Sequence, residues 1–67
     1  MGAKQLGKNV KKAREKAGLT QEELAEKIGL HASSISRIER GAANPTHSIL
    51  DNIRKLLKMD PSEIFPN

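Results

Sequence analysis

Between Thr20 and Gly41 two short runs of helical periodicity are separated by one glycine, Gly29, so this stretch can fold only as two helices meeting at a tight turn. Thr20 followed by Glu23 makes a capping box: the hydroxyl accepts from a first-turn N–H while the carboxylate accepts from the Thr20 N–H. A helix is expected over about 21 to 28, with Leu24, Ala25 and Ile28 facing inward and Ala25 small enough to admit a close neighbour. Gly29 is expected where a side chain would obstruct the turn. Leu30, Ser34, Ile35 and Ile38 then share a face, which predicts a helix over about 32 to 39 that stops near Gly41. Its opposite face carries Ala32, Ser33, Ser36, Arg37 and Arg40.

The flanking segments are also helical. Leu6, Val10, Ala13 and Ala17 recur at steps of four, three and four, predicting a first helix over about 5 to 17, stopped by a left-handed Gly18, with residues 1–4 frayed. Pro45 blocks helical continuation and Thr46 caps a fourth helix, whose stripe of Ile49, Leu50, Ile53, Leu56 and Leu57 is the widest in the chain. That stripe has two possible uses, intramolecular packing or a subunit contact. Asp60, Pro61, Ser62 and Glu63 repeat the capping logic and start a one-turn fifth helix that returns Ile64 and Phe65 to the core. With no period-two alternation and no linker, residues 5–67 read as a single all-α domain of five helices. At 67 residues it would bury only roughly 60% of its unfolded surface, so its stability is small or shared with a partner subunit.

Twelve Lys and Arg against eight acidic residues give a net charge of +4 and a pI near 9.8, which favours a polyanionic partner. Many of the lysines crowd the first segment, where Lys8, Lys12 and Lys16 also fit a simple solvated helix face. Phe65 is the one aromatic, too few for the stacking platforms of most single-strand and RNA-loop binders, so duplex DNA is the expected partner. The absence of Cys excludes disulfides and thiolate chemistry. No apolar run approaches the ~20 residues of a membrane span and the start lacks a signal-peptide core, so a soluble, cytoplasmic protein is expected, nucleoid-associated when bound to DNA. Met1-Gly2 does not extend to a myristoylation motif, because Leu6 stands where Ser or Thr is needed.

A major groove about 12 Å wide accepts an α-helix whose outward side chains are small near the axis and whose long donors reach base edges. The outward face of the third helix has that composition. Arg37 can donate two hydrogen bonds to guanine, Ala32 can press on a thymine methyl, and Ser33 and Ser36 can donate or accept; solvated helix surface is the alternative for the serines. Phosphate contacts are expected from Gln21 at the start of the second helix, and from Thr46 and His47 at the start of the fourth, where free N–H groups favour anions. Arg40 is placed to neutralise phosphate, His31 sits at the N-cap of the third helix facing the backbone, and Asn44 either donates to phosphate or forms the turn before Pro45. His31 and His47 have neither a third ligand nor metal-site spacing, and His47, Ser48 and Asp51 hold triad residue types on one short helix without an oxyanion hole. No metal, cofactor or catalysis is expected.

Gly18-Leu19-Thr20-Gln21-Glu22-Glu23-Leu24-Ala25, Gly29-Leu30, Ile35-Ser36, Ile38-Glu39-Arg40-Gly41 and Asn44-Pro45 together resemble the phage-repressor and Cro-like (lambda-repressor-like) helix-turn-helix family, over nearly the whole span from Leu6 to Phe65. The resemblance implies a five-helix domain binding an inverted-repeat operator as a symmetric homodimer, with the third helix in the major groove. It implies that Gln21 lies on the DNA backbone, that Ala32, Ser33 and Arg37 read bases, and that Arg14 pairs with Glu39. His47 stands where a hydrophobic residue is more usual, and Ala32 where a longer polar side chain often reads bases, which shifts readout towards Arg37. The expected function is a sequence-specific transcriptional regulator, a repressor rather than an activator. An antitoxin or other protein-interaction module using the fourth-helix stripe is the competing reading.

Overall fold

The computed structural model describes residues 1–65, which form four α-helices and one 3-10 turn: α1 (Ala3–Lys16), α2 (Gln21–Ile28), α3 (Ala32–Glu39), α4 (His47–Leu57) and the turn Pro61–Glu63. Among the described residues there is no strand. One large side chain from each helix and one from the tail, Val10, Leu24, Ile35, Ile53 and Ile64, are completely buried and meet at the centre of the core. Around them α3 packs on α1 and α2, while α4 contacts α1 and α2 and adds Leu50, Ile53 and Leu57 to the core.

Two expectations are corrected at the ends. Ala3 and Lys4, expected to fray, form the first turn of α1: the Leu6 N–H donates to Gly2 O at 3.0 Å, and Lys4 lies directly against Gly41. Asn9 ties this end to the tail, donating to Glu63 O at 2.8 Å. The fifth helix is a single 3-10 turn: Glu63 and Ile64 donate three residues back, to Asp60 O and Pro61 O, and one four-residue bond, from the Phe65 N–H to Pro61 O at 2.9 Å, closes it.

The turn between α2 and α3 also has a different cause from the one expected. Gly29 adopts φ +74°, yet a Cβ built there would touch nothing within 4 Å, so its left-handed backbone rather than lack of space selects glycine. Space is decisive at two other glycines. Gly7 is buried in α1 beneath the end of α3, where a Cβ would lie within about 2.5 Å of both Ile38 O and Glu39 O. Gly41 combines φ +75° with Lys4 backbone only 2.9 Å from the place of a Cβ.

The wide α4 stripe is mostly consumed inside the domain. Leu50, Ile53 and Leu57 are buried and Ile49 is partly so, while Leu56 remains 37% exposed. Met59 joins the buried set because Lys58 takes a left-handed conformation, φ 55°, and turns the chain back so that the Met59 N–H donates to Arg54 O at 2.9 Å. A lysine in that conformation is disfavoured by contact of its Cβ with the backbone. Lys58→Gly is therefore expected to raise stability by about 0.5–1 kcal/mol, measured as a higher denaturation midpoint with unchanged slope.

The caps carry a pH signature. Glu23 is held below its ordinary pKa first by the Thr20 backbone N–H and then by the Thr20 hydroxyl, and Asp60 likewise by the Ser62 hydroxyl and N–H. Asp51 is lowered by Lys55 and Arg54. Carboxylates depressed in the fold take up protons more readily when unfolded, so their contribution is complete above the unfolded value and disappears as pH falls through the folded one. The melting temperature should fall on acidification below about pH 4, and Glu23→Gln should flatten that fall.

Candidate nucleic-acid interface

α3 is held at its base by an ion pair that is itself out of solvent. Arg14 Nε donates to Glu39 Oε2 at 2.6 Å and Arg14 Nη2 to Glu39 Oε1 at 3.1 Å, in a two-pronged arrangement with both residues buried. The remaining Arg14 Nη1 donates to Leu19 O at 2.7 Å, and the Gln21 amide donates to Glu39 Oε1 at 3.0 Å. Arg14 and Glu39 together thus connect α1, the loop after it, the first residue of α2 and the last residue of α3. Its hydrogen bond is the main reason the Arg14 pKa is raised above the ordinary value, against the opposing effect of burial. Among the described residues no buried side-chain nitrogen or oxygen lacks a partner.

With its inner face on the core and its end clamped, α3 turns the other face outward. Ser33 and Arg37, four positions apart, are both exposed and project from the same side of the helix. Arg40, the C-cap, is exposed as well. Ser36 is half-buried, and Ala32, expected to be a full member of the outward face, packs partly against the core. Ser33 and Arg37 are therefore the least encumbered of the four side chains assigned to base edges.

The residues assigned to phosphate fall into two groups. His31, Arg40 and Asn44 are exposed, and His31 makes no side-chain bond to the start of α3 that it caps. Asn44 borders the same crevice as Arg37, about 140 Å³ between α3 and the start of α4, so the loop after Gly41 lies beside the main donor of α3. The other three are already engaged. Gln21 gives one amide hydrogen to Glu39, which leaves its carbonyl oxygen and second hydrogen, and its backbone N–H at the start of α2 shares that turn with the Glu22 and Glu23 carboxylates. Thr46 accepts from the Ile49 N–H at 3.2 Å as the α4 cap, leaving its hydroxyl hydrogen to donate. His47 stacks on Phe65 with ring centroids 4.5 Å apart and planes 11° apart. That stack replaces the aliphatic packing expected of a hydrophobic residue at this position.

Periodicity could not disclose the Gln21–Glu39 contact, because it joins residues 18 apart through a carboxylate that Arg14 also uses. Gly7 likewise reads locally only as a tolerated helix glycine, its closeness to Ile38 O and Glu39 O being set by α3. Among the described residues no group of three His, Cys, Asp or Glu is placed to hold a metal ion, and no helix is long and apolar enough to cross a membrane.

A family model described as helix-turn-helix matches residues 10–64. The chain is 41% identical over 51 residues to the HTH-type transcriptional regulator ImmR of Bacillus subtilis, covering 76% of this chain but 40% of that protein. In structure it resembles the restriction-modification controller protein C.AhdI of Aeromonas hydrophila, with a TM-score of 0.84 and 30% identity over 94% of this chain and 91% of that one. It also resembles PlcR of Bacillus thuringiensis, solved with the peptide PapR7 and DNA, with a TM-score of 0.79 and 45% identity over 87% of this chain and 20% of that one.

Proposed function

This chain belongs to the helix-turn-helix family of DNA-binding transcriptional regulators and is not an enzyme; we propose that within that family it is a sequence-specific repressor acting as a homodimer on an inverted-repeat operator. The observation that carries this reading is the pair of unencumbered side chains, Ser33 and Arg37, on a helix whose inner face and last residue are both fixed. A helix so held can enter the major groove as a rigid reader. Arg37 donates to guanine O6 and N7, with Ser33 on the next turn as a weaker reader and Ser36 and Ala32 at the margin of the contact. Arg40, Asn44, His31 and the free hydrogens of Gln21 and Thr46 supply phosphate contacts, which set register and affinity rather than sequence. His47 contributes at most a ring edge to the backbone, its face being occupied by Phe65.

The start of α4 borders the Arg37 crevice. A twofold partner meeting this end of α4 and the 3-10 turn would present both α3 helices to one side of the duplex. Half-sites about one helical turn, ~10–10.5 bp, apart are the expectation for such a dimer. The site of action is the cytoplasm, on the nucleoid.

Selection of bound sites from random duplex DNA tests this directly. The expected result is a palindromic motif containing a guanine whose preference disappears in Arg37→Ala, at a cost of about 1–3 kcal/mol, or roughly 5- to 150-fold, on the preferred site. Indifference of the protein to duplex sequence, unaltered by Arg37→Ala, would reduce it to a non-specific basic coat.

A further inference from the structure

We propose that the face centred on Leu56, remote from Arg37, is a docking surface for an acidic segment of a partner protein that carries an apolar anchor residue. Apart from Met1, Leu56 is the exposed large apolar side chain of the described residues. It forms the ridge between two concavities, one of about 600 Å³ bordered by α1 and the end of α4, the other of about 500 Å³ bordered by the ends of α2 and α4. Ala13, Leu57 and Met59 contribute apolar surface to the first, and Lys12, Lys16 and Lys58 stand around it. Lys27 and Lys55 stand on the other side of the ridge, with Ile28.

Five ammonium groups therefore surround one leucine. Lys55 is shared with Asp51 at 3.1 Å, but Lys12, Lys16, Lys27 and Lys58 make no ion pair within 4 Å among the described residues, Lys27 acting only at longer range on Glu23 one turn earlier. Glu63 also borders the larger groove, yet its carboxylate is turned to the Asp60 N–H, from which it accepts at 2.9 Å. Lysines near helix C-termini individually offset the negative ends of the helix dipoles. That accounts for each lysine on its own helix, but not for three helices ending around an exposed leucine.

Charge selects among the occupants. A second copy seated face to face would bring ten ammonium groups together, a like-charge arrangement that interfaces avoid. A nucleic-acid backbone would satisfy the lysines but gain nothing from Leu56. An acidic amphipathic segment uses both features: its carboxylates meet the lysines, and its apolar side chain removes Leu56 and the groove floor from water.

The test is a titration of the full chain, followed by backbone amide NMR shifts, with a synthetic acidic helical peptide of about 12 residues bearing leucine flanked by Glu and Asp, in which leucine-to-serine and Glu-to-Lys forms serve as controls. Binding should saturate below about 1 mM, shift amides around Ala13, Leu56 and Met59, and leave those around Arg37 unmoved. Leu56→Ser, a change at an exposed position, and the pair Lys12→Glu with Lys16→Glu should each weaken it on the order of tenfold. The proposal is overturned by no saturation at that concentration, by shifts centred on α3, or by equal binding of the serine control. It fails equally if vesicles containing phosphatidylglycerol displace the peptide, or if Leu56→Ser dissociates a dimer while peptide affinity is unchanged.

Discussion

Glu39→Ala should unfold the domain before it alters any base preference. The substitution leaves the Arg14 guanidinium buried without its carboxylate and removes the acceptor of the Gln21 amide. Breaking a buried pair from one side costs on the order of 3–5 kcal/mol, which is comparable to the whole stability expected of so small a domain. The Tm should fall by roughly 4–8 °C per kcal/mol, so a loss of cooperative melting near room temperature is the expected outcome. An unaltered Tm would show that the pair contributes nothing. Replacing both partners, as in Arg14→Met with Glu39→Leu, should recover much of the loss, because no unpaired charge is then left inside.

Gly7→Ala should destabilise as well, although the change ordinarily favours a helix by about 0.5–1 kcal/mol. The new methyl would sit within about 2.5 Å of two carbonyl oxygens at the end of α3, and those neighbours are backbone that no rotamer change can remove. α1 and α3 must separate, which weakens the contact that also aligns Arg14 with Glu39. Overpacking of this kind costs about 1–3 kcal/mol, occasionally more, and here it is added to distortion of a buried ion pair. Thermal melting checks the sign: a Tm equal to or above that of the parent would mean the two helices do not approach as closely as described.

These two residues mark the limit of what the chain discloses before it is folded. The capping box at Thr20 and Glu23, the start of α4 at Thr46, and the buried stripe of Leu24, Ile35, Ile38, Leu50 and Ile53 are legible because each depends on residues within one or two turns of one another. The all-α class follows from them. The requirement for glycine at position 7 is set by α3, more than thirty residues later in the chain, and the double use of Glu39 by Arg14 and Gln21 is set by three elements meeting. Order at the start of α1 depends on Gly41 and Glu63, both distant in sequence. The left-handed turn at Lys58 accompanies burial of Met59, against the local preference of lysine, and so leaves no local signal.

In the candidate site, residue type and helical register singled out Ser33 and Arg37, which are exposed on one side of α3. The Ala32 methyl is drawn partly into the core and Phe65 occupies the face of His47, neither of which register discloses. Partners supplied by tertiary packing are invisible to a helical wheel. The same holds for the division of the Gln21 amide between an internal carboxylate and an external ligand.

The clamp that Glu39 makes between α2 and α3 decides which molecule yields on contact. With one end of α3 set by the Gly29 turn and the other by a two-pronged ion pair, the angle between the two helices has little freedom to adapt. Under the dimeric reading proposed above, any mismatch between subunit spacing and groove spacing is then absorbed by twisting and bending the duplex. The bases between the half-sites, touched by no side chain, would enter the affinity through their elastic stiffness.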